Sequence, residues 1–148
     1  HFDHPKELST DIAEEAIARI QSTGTVIRCQ SPILRHVNDS VETWVHLWER
    51  QLHLGLIPYY MFLESSEELT DYYKIPVARA LNIFQEAQQR VTGLAKTITG
   101  PVFNRMTGKV HVVGTSKIND DKVFILKMIN SIDPDSAGKI LQVLKGAQ

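Results

Sequence analysis

Cysteine is almost absent from this sequence, with Cys29 the only one among 148 residues. One thiol cannot form a disulfide within the chain, and it cannot supply the three or four thiolates of an iron–sulfur cluster or a structural zinc site. Any iron–sulfur chemistry in which this protein takes part must therefore use ligands from outside the sequence.

The sequence also lacks an excess of either charge and lacks long hydrophobic runs. Sixteen basic and seventeen acidic residues give a net charge of −1, and the charges are scattered. Nucleic acid is therefore not an expected partner. The apolar runs fall far below the roughly 20 residues that a membrane helix needs, and no basic and then apolar leader opens the chain. We expect a cytoplasmic protein.

Helical and strand patterns alternate over the first two thirds of the chain. Apolar spacing, capping residues and glycine stops predict helices over 9–24, 39–55 and 76–93, with Asp39 as the cap of the second, and strands over 25–31 and 56–63. This alternation is typical of right-handed βαβ units, so we predict a parallel sheet or part of a (βα) barrel for residues 1–94.

The pattern changes over residues 95–148. One more strand is predicted over 96–102, and 110–113 with 123–126 could form a hairpin. Asp133 and Pro134 predict the start of a final helix that runs through Leu144. The expected fold class is therefore α/β, with a β-hairpin and a helix at the carboxyl end.

Polar residues gather after the first predicted strand, where side chains reach the mouth of a (βα) barrel. They are Gln30, Ser31, Arg35, Asn38 and Asp39. A ligand site is one interpretation. The alternative, which composition favours, is that Asp39 caps a helix, Arg35 pairs with an acid and Asn38 forms a turn.

Other residues could carry chemistry, each with a plainer alternative. Tyr59 and Tyr60 could stack on a planar ligand or belong to a core. Lys109, at a predicted turn, could enter a pocket and form a Schiff base, or face solvent. His1 and His4 could suggest a metal, but residues three apart in an extended segment point to opposite faces. We therefore predict no metal site in this chain.

Several motifs follow one another in a specific order and at specific intervals. They are His1-Phe2-Asp3-His4-Pro5, the segment from Gln30 to Asp39, Pro58-Tyr59-Tyr60, the segment from Tyr72 to Val77, and Thr92-Gly93. This series resembles the lysine 2,3-aminomutase family over roughly residues 1–113. Members of that family are radical S-adenosylmethionine enzymes that also use pyridoxal phosphate.

The resemblance implies the second half of a radical S-adenosylmethionine barrel. The family's three-cysteine motif, which binds a [4Fe–4S] cluster, lies upstream of these motifs and has no counterpart here. The implied partner is therefore an amino-terminal half of the same protein, and the chain is expected to be inactive alone. An open half barrel also leaves an unpaired strand edge, so a homo-oligomer is expected.

The resemblance also assigns roles to individual residues. It places pyridoxal phosphate on Lys109, although the family's run of glycines is replaced here by 101–108, of which only Gly108 remains. It places S-adenosylmethionine near Gln30 with His1 or His4. It also makes Arg35, Tyr59 and Tyr60 cofactor-binding residues.

Substrate recognition departs from the family's lysine-specific members. Two aspartates that hold a distal ammonium in those members fall at about Ser65 and Val102, and Glu64 is the only acid nearby. Neutral replacements remove most of the attraction for a distal cation, so free lysine is not the expected substrate.

The expected function is thus a part of an amino-acid 2,3-aminomutase-like isomerase. One alternative is a related radical enzyme that acts on another substrate without pyridoxal phosphate. The other is a non-catalytic interaction module.

Overall fold

A computed structural model of the chain describes residues 1–64, 71–105 and 107–144. In this part the α-helices are α1 (Asp11–Gln21), α2 (Val41–His53) and α3 (Val77–Arg90). The strands are β1 (Arg28–Ile33), β2 (Ile57–Leu63), β3 (Thr99–Arg105), β4 (Gly108–Ile118), β5 (Asp121–Ser131) and β6 (Ile140–Leu144). Short 3₁₀ helices cover Pro5–Leu8, Gly93–Thr97 and Pro134–Ser136. The three predicted helices and the βαβ alternation are confirmed.

The helix starts show one error in the predicted caps. Ser40, and not Asp39, caps α2, because its Oγ accepts a hydrogen bond from the Thr43 amide at 3.2 Å. Asp39 lies one residue earlier and its carboxylate binds Arg79 on α3 at 3.1 Å. The side chain of Asp39 therefore ties the start of α2 to α3.

The strands form one mixed sheet in the order β1-β2-β3-β4-β5-β6. β1, β2 and β3 are parallel, as βαβ units require, and the remaining neighbours are antiparallel. The predicted hairpin is confirmed as β4 and β5, which extend well beyond the predicted segments. Over the described residues the sheet does not close on itself, so the expected partial barrel is not confirmed.

The predicted final helix is wrong. Only the short turn Pro134–Ser136 follows Asp133, and Gly138 then takes a positive φ of 82°. That conformation ends any helix, and the β-branched, apolar sequence beyond it pairs with β5 as strand β6. The open edge of β5 therefore decides the structure of this segment.

The core lies between the sheet and helices α2 and α3. Trp44 and Trp48 of α2 have ring centroids 5.5 Å apart, and Trp48 meets Phe84 of α3 edge-on at 5.7 Å. Gly100 lets β3 approach this layer, since an added Cβ would lie 2.7 Å from Met61 Cβ and 3.0 Å from Phe84 Cε2. Among the described helices none is both long and apolar enough to cross a membrane.

Candidate functional site

The face of the sheet opposite α2 and α3 carries the candidate site, and we call it the open face. Residues paired across neighbouring strands share a face of the sheet. Between β1 and β2 the register pairs Gln30 with Tyr60, and between β2 and β3 it pairs Phe62 with Val102. Between β3 and β4 it pairs Val102 with His111 and Asn104 with Lys109. The open face is defined here by Gln30, Tyr60, Phe62, Val102, Lys109 and His111. It brings together three predicted cofactor residues, Gln30, Tyr60 and Lys109.

Lys109 reaches across the open face to the aromatic rings of β2. Its Nζ lies 4.7 Å from the centroid of Tyr60 and 5.5 Å from that of Phe62. Both distances suit the attraction between a cation and the face of an aromatic ring. Gly108, the first residue of β4, has no room for a side chain, because an added Cβ would collide with the Asn130 carbonyl oxygen of β5. This glycine therefore allows β4 to lie close to β5 directly before Lys109.

A bulge in β2 brings the two tyrosines together. Cys29 pairs with Pro58 and Gln30 pairs with Tyr60, so Tyr59 is an extra residue in β2. Adjacent side chains of a regular strand point to opposite faces, yet these ring centroids are only 4.0 Å apart. Burial, together with a hydrogen bond between the Tyr60 and Tyr59 side chains, raises the pKa of Tyr60 to about 12. Tyr60 is therefore a neutral phenol at physiological pH.

Val102 and His111 lie beside Lys109 on the open face. Val102 on β3 is fully buried, and it lies between Phe62 on β2 and His111 on β4. Nε2 of His111 lies 3.1 Å from the Gly100 carbonyl oxygen. Burial lowers the pKa of His111, and the charge of Lys127 on β5 lowers it further. The hydrogen bond to the Gly100 carbonyl raises this pKa and so opposes both effects. His111 is not among the site residues predicted from the sequence. It lies in the strand predicted over 110–113, but only the structure extends this strand back to include Lys109, which puts both side chains on one face.

The amino-terminal segment lies against the end of β1. The Gln30 amide nitrogen is 2.8 Å from His1 Nε2, and since an amide nitrogen donates, the His1 nitrogen is the acceptor. Of the two candidate histidines, His1 therefore meets Gln30. His4 instead caps the turn Pro5–Leu8, where its Nδ1 accepts from the Lys6 amide at 3.2 Å.

The other predicted residues are more dispersed. Arg35 is exposed beyond β1, and its backbone amide donates to the Tyr73 carbonyl at 2.9 Å. Glu64 is exposed directly after β2, and Ser65 lies outside the described residues. Asn38 is buried and makes hydrogen bonds to Leu34, Asp3 and Pro32, which gives it a structural role at this turn.

Within the described part of the chain, no group of three or more His, Cys, Asp or Glu side chains is placed to hold a metal ion. Cys29 is buried. The open face offers instead an amine, a neutral imidazole and two aromatic rings. This combination suits a planar organic ligand that carries a carbonyl group.

Sequence comparison identifies the relatives of this chain. No model of a known protein family matches it. It is 31% identical over 141 residues to the "Putative L-lysine 2,3-aminomutase" of Aquifex aeolicus, in an alignment that covers 95% of this chain and 36% of that protein. The chain is a homologue of the lysine 2,3-aminomutases.

Two further relatives of this aminomutase homologue carry the same enzyme name. The L-lysine 2,3-aminomutase of Escherichia coli is 27% identical over 105 residues, which is 68% of this chain and 30% of that protein. That of Fusobacterium nucleatum is 25% identical over 95 residues, which is 64% of this chain and 22% of that protein. The aminomutase homologue thus spans about a third of the length of these relatives or less.

The residues of the aminomutase homologue fit part of a pyridoxal phosphate site. Lys109 supplies the amine. The rings of Tyr60 and Phe62, whose centroids lie 4.7 and 5.5 Å from Lys109 Nζ, supply an aromatic surface for a planar ligand. With one cysteine, the chain does not itself fit a [4Fe–4S] cluster, which needs four ligands and usually at least three thiolates. A cluster would therefore be bound by other residues.

Proposed function

We propose that this chain contributes the open face to the active site of an amino-acid 2,3-aminomutase-like isomerase, in which Lys109 holds pyridoxal phosphate. The observation that carries the proposal is the position of the Lys109 amine over the rings of Tyr60 and Phe62, on the face that the helices leave uncovered. The named relatives support the aminomutase class.

The cofactors would supply the chemistry that no side chain here can perform. S-adenosylmethionine with a [4Fe–4S] cluster supplies a radical, and pyridoxal phosphate, when bound, supplies a conjugated ring over which an unpaired electron spreads. The cluster ligands and the remaining cofactor contacts would come from the rest of the protein. We therefore propose that the chain is inactive alone.

The side chains of the open face would bind, orient and exclude water. Lys109 would provide the covalent anchor, and Tyr60 and Phe62 would pack against the planar ring and keep water away from it. The neutral phenol of Tyr60 contributes no anionic charge. Gln30 and His1, 2.8 Å apart at the edge strand β1, would contact S-adenosylmethionine.

The open face also bears on the substrate. Val102 is buried and aliphatic, and the residues that define the face include no carboxylate. A distal ammonium group would therefore lose its hydration there without gaining an opposite charge. We propose an amino acid substrate with an uncharged side chain in place of free lysine.

The test is chemical trapping in the complete gene product that contains this chain. Anaerobic protein is incubated with pyridoxal phosphate, reduced with borohydride and mapped by peptide mass spectrometry. We expect one pyridoxyl adduct on Lys109, its loss in Lys109→Ala, and its retention in the matched control Lys117→Ala, which changes an exposed lysine of the same strand. An adduct spread over many lysines, or none on Lys109, would contradict the proposal.

One observation favours a second candidate, a radical enzyme of the same group without pyridoxal phosphate. Strand β3 (Thr99–Arg105) takes up much of the segment 101–108, where the family resemblance implies a run of glycines. Retention of isomerase or other radical activity in Lys109→Ala, beside an intact iron–sulfur cluster, would favour this candidate.

A further inference from the structure

His111 occupies a central place on the open face. It pairs with Val102 on β3 and with Lys127 on β5, and Lys109 precedes it by two residues on β4. Side chains two residues apart on one strand share a face, with Cα atoms about 7 Å apart. His111 is thus a direct neighbour of the lysine that would anchor the cofactor.

The contact with Gly100 defines the tautomer of His111. A carbonyl oxygen only accepts hydrogen bonds, so the Nε2 that lies 3.1 Å from it must carry a proton. Nδ1 has no hydrogen-bond partner among the described residues, and it is not one of the buried unpartnered atoms there. The lone pair of Nδ1 is therefore accessible on the open face.

The surroundings of the ring keep it uncharged. Burial lowers the pKa of His111, and Lys127 on β5 acts in the same direction, while the Gly100 carbonyl opposes both. The other ionisable groups among the residues that define the open face are Lys109 on the same strand and Tyr60 on β2. In the described register no carboxylate of β3, β4 or β5 pairs with residues 109–112. His111 is thus a neutral base at pH 7.

We infer that His111 is the proton acceptor that prepares Lys109 for attachment to a carbonyl-bearing cofactor. One proton passes from the Lys109 ammonium to His111 Nδ1, directly or through one water, and leaves a neutral amine whose lone pair can attack a carbonyl carbon. The imidazole becomes an imidazolium, and its Nε2 proton stays bound to the Gly100 oxygen, which stabilises the new charge. This inference rests on the proposed function.

The test measures the rate at which Lys109 becomes attached to pyridoxal phosphate, by borohydride trapping over time, between pH 6 and pH 9 in the complete gene product. His111→Gln keeps an amide N–H that can donate to Gly100 and removes the base. We expect attachment at pH 7 to be roughly a hundredfold slower in this variant. The difference should shrink at higher pH, where hydroxide takes over the same role.

Two controls separate this role from a structural one. His53→Gln changes an exposed histidine at the end of α2 and should leave the rate unchanged. A nitrogen-15 NMR titration of the wild type should show His111 as the Nε2-protonated tautomer, with a pKa below that of an exposed histidine. An Nδ1-protonated ring, or one still charged at pH 7, would overturn the inference even if His111→Gln fails to fold.

The outcomes also distinguish the two proposals. An adduct that forms on Lys109 at the same rate and with the same pH profile in wild type and His111→Gln would overturn the role of His111 and leave the proposed function intact. The absence of any Lys109 adduct in the wild type would overturn both.

Discussion

Lys109 Nζ lies 4.7 Å from the centroid of the Tyr60 ring, although strand β3 separates the strands that carry the two residues. Neighbouring strands are about 4.8 Å apart, so the lysine side chain must extend sideways across β3 to make this contact. Its path over the sheet accounts for the position of its charge above two ring faces.

This contact predicts how reactive the Lys109 amine is. A cation over an aromatic ring at a partly exposed site gains about 0.5–1 kcal/mol. We expect Tyr60→Leu to raise the acetylation rate of Lys109 at pH 7 about two- to fivefold, and Tyr60→Phe to leave it unchanged. Peptide mass spectrometry measures the rate, with Lys117 as the internal reference. Equal rates in the two variants would show that the ring does not hold the amine.

A second prediction concerns the ionisation of Tyr60. Burial and the Tyr59 hydrogen bond raise its pKa to about 12, so it should ionise at a higher pH than an unperturbed tyrosine does. Absorbance at 295 nm follows phenolate formation, and circular dichroism reports whether the chain is still folded. Tyr59→Phe removes the hydrogen-bonding hydroxyl and should lower the pKa of Tyr60. Tyr72→Phe, at an exposed site, should not, and an identical shift in both variants would refute the assignment.

Gly100 predicts a specific stability difference. Alanine there would place a Cβ 2.7 Å from Met61 Cβ and 3.0 Å from Phe84 Cε2, so the core has to move. We expect Gly100→Ala to lower the free energy of unfolding by about 1–3 kcal/mol. Gly114→Ala is the matched control, because a Cβ added at Gly114 would have no atom within 4 Å. Urea unfolding that gave equal losses would contradict the close approach of β3 to α3.

Asn38 should be one of the most sensitive polar positions. Its Oδ1 accepts from the Leu34 amide at 2.7 Å, and its Nδ2 donates to the carbonyls of Asp3 at 2.8 Å and Pro32 at 2.9 Å. Asn38→Ala leaves these buried groups without partners, and we expect a loss of about 2–4 kcal/mol in the free energy of unfolding.

The isostere Asn38→Asp tests the same site for its donors. This variant keeps the side-chain volume but replaces an amide that donates to two carbonyl oxygens by a carboxylate that repels them. It should therefore lower the free energy of unfolding at neutral pH. The loss should be smaller in acid, where the carboxyl group is protonated and can donate again. Gln89→Ala, on the exposed face of α3, is the control and should change stability by about 0.5 kcal/mol or less. A loss in Asn38→Asp that does not depend on pH would refute the role of the donors.

The parallel half of the fold was predictable because its signals are local. Helix periodicity, a capping residue near the start of each of the first two helices and a glycine near the helix ends are visible within a few residues. The βαβ order then limits this part of the sheet to a parallel arrangement. The cap of α2 was misassigned by one residue because Asp39 and Ser40 are both suitable caps. In the structure the Ser40 hydroxyl accepts from the Thr43 amide, and the Asp39 carboxylate pairs with Arg79 on α3.

The carboxyl-terminal segment could not be predicted in the same way. Ile140 to Leu144 can form either a helix or a strand on composition, and β5 offers an edge that satisfies its backbone hydrogen bonds. That edge exists only once β5 has paired with β4 in the hairpin. Tertiary pairing therefore overrides the local signal that Asp133 and Pro134 give for a helix.

The candidate site likewise has features that follow from local sequence and features that depend on tertiary structure. The sequence by itself determined the residue types, the single cysteine, the order of the motifs and hence the likeness to aminomutases, because these are properties of the chain as written. The tertiary structure alone decided that a bulge at Tyr59 brings two tyrosine rings together, and that His111 and Lys109 share one face with Tyr60. The physical reason is register: one extra residue in a strand moves every later side chain to the other face, and no local pattern fixes where that residue falls.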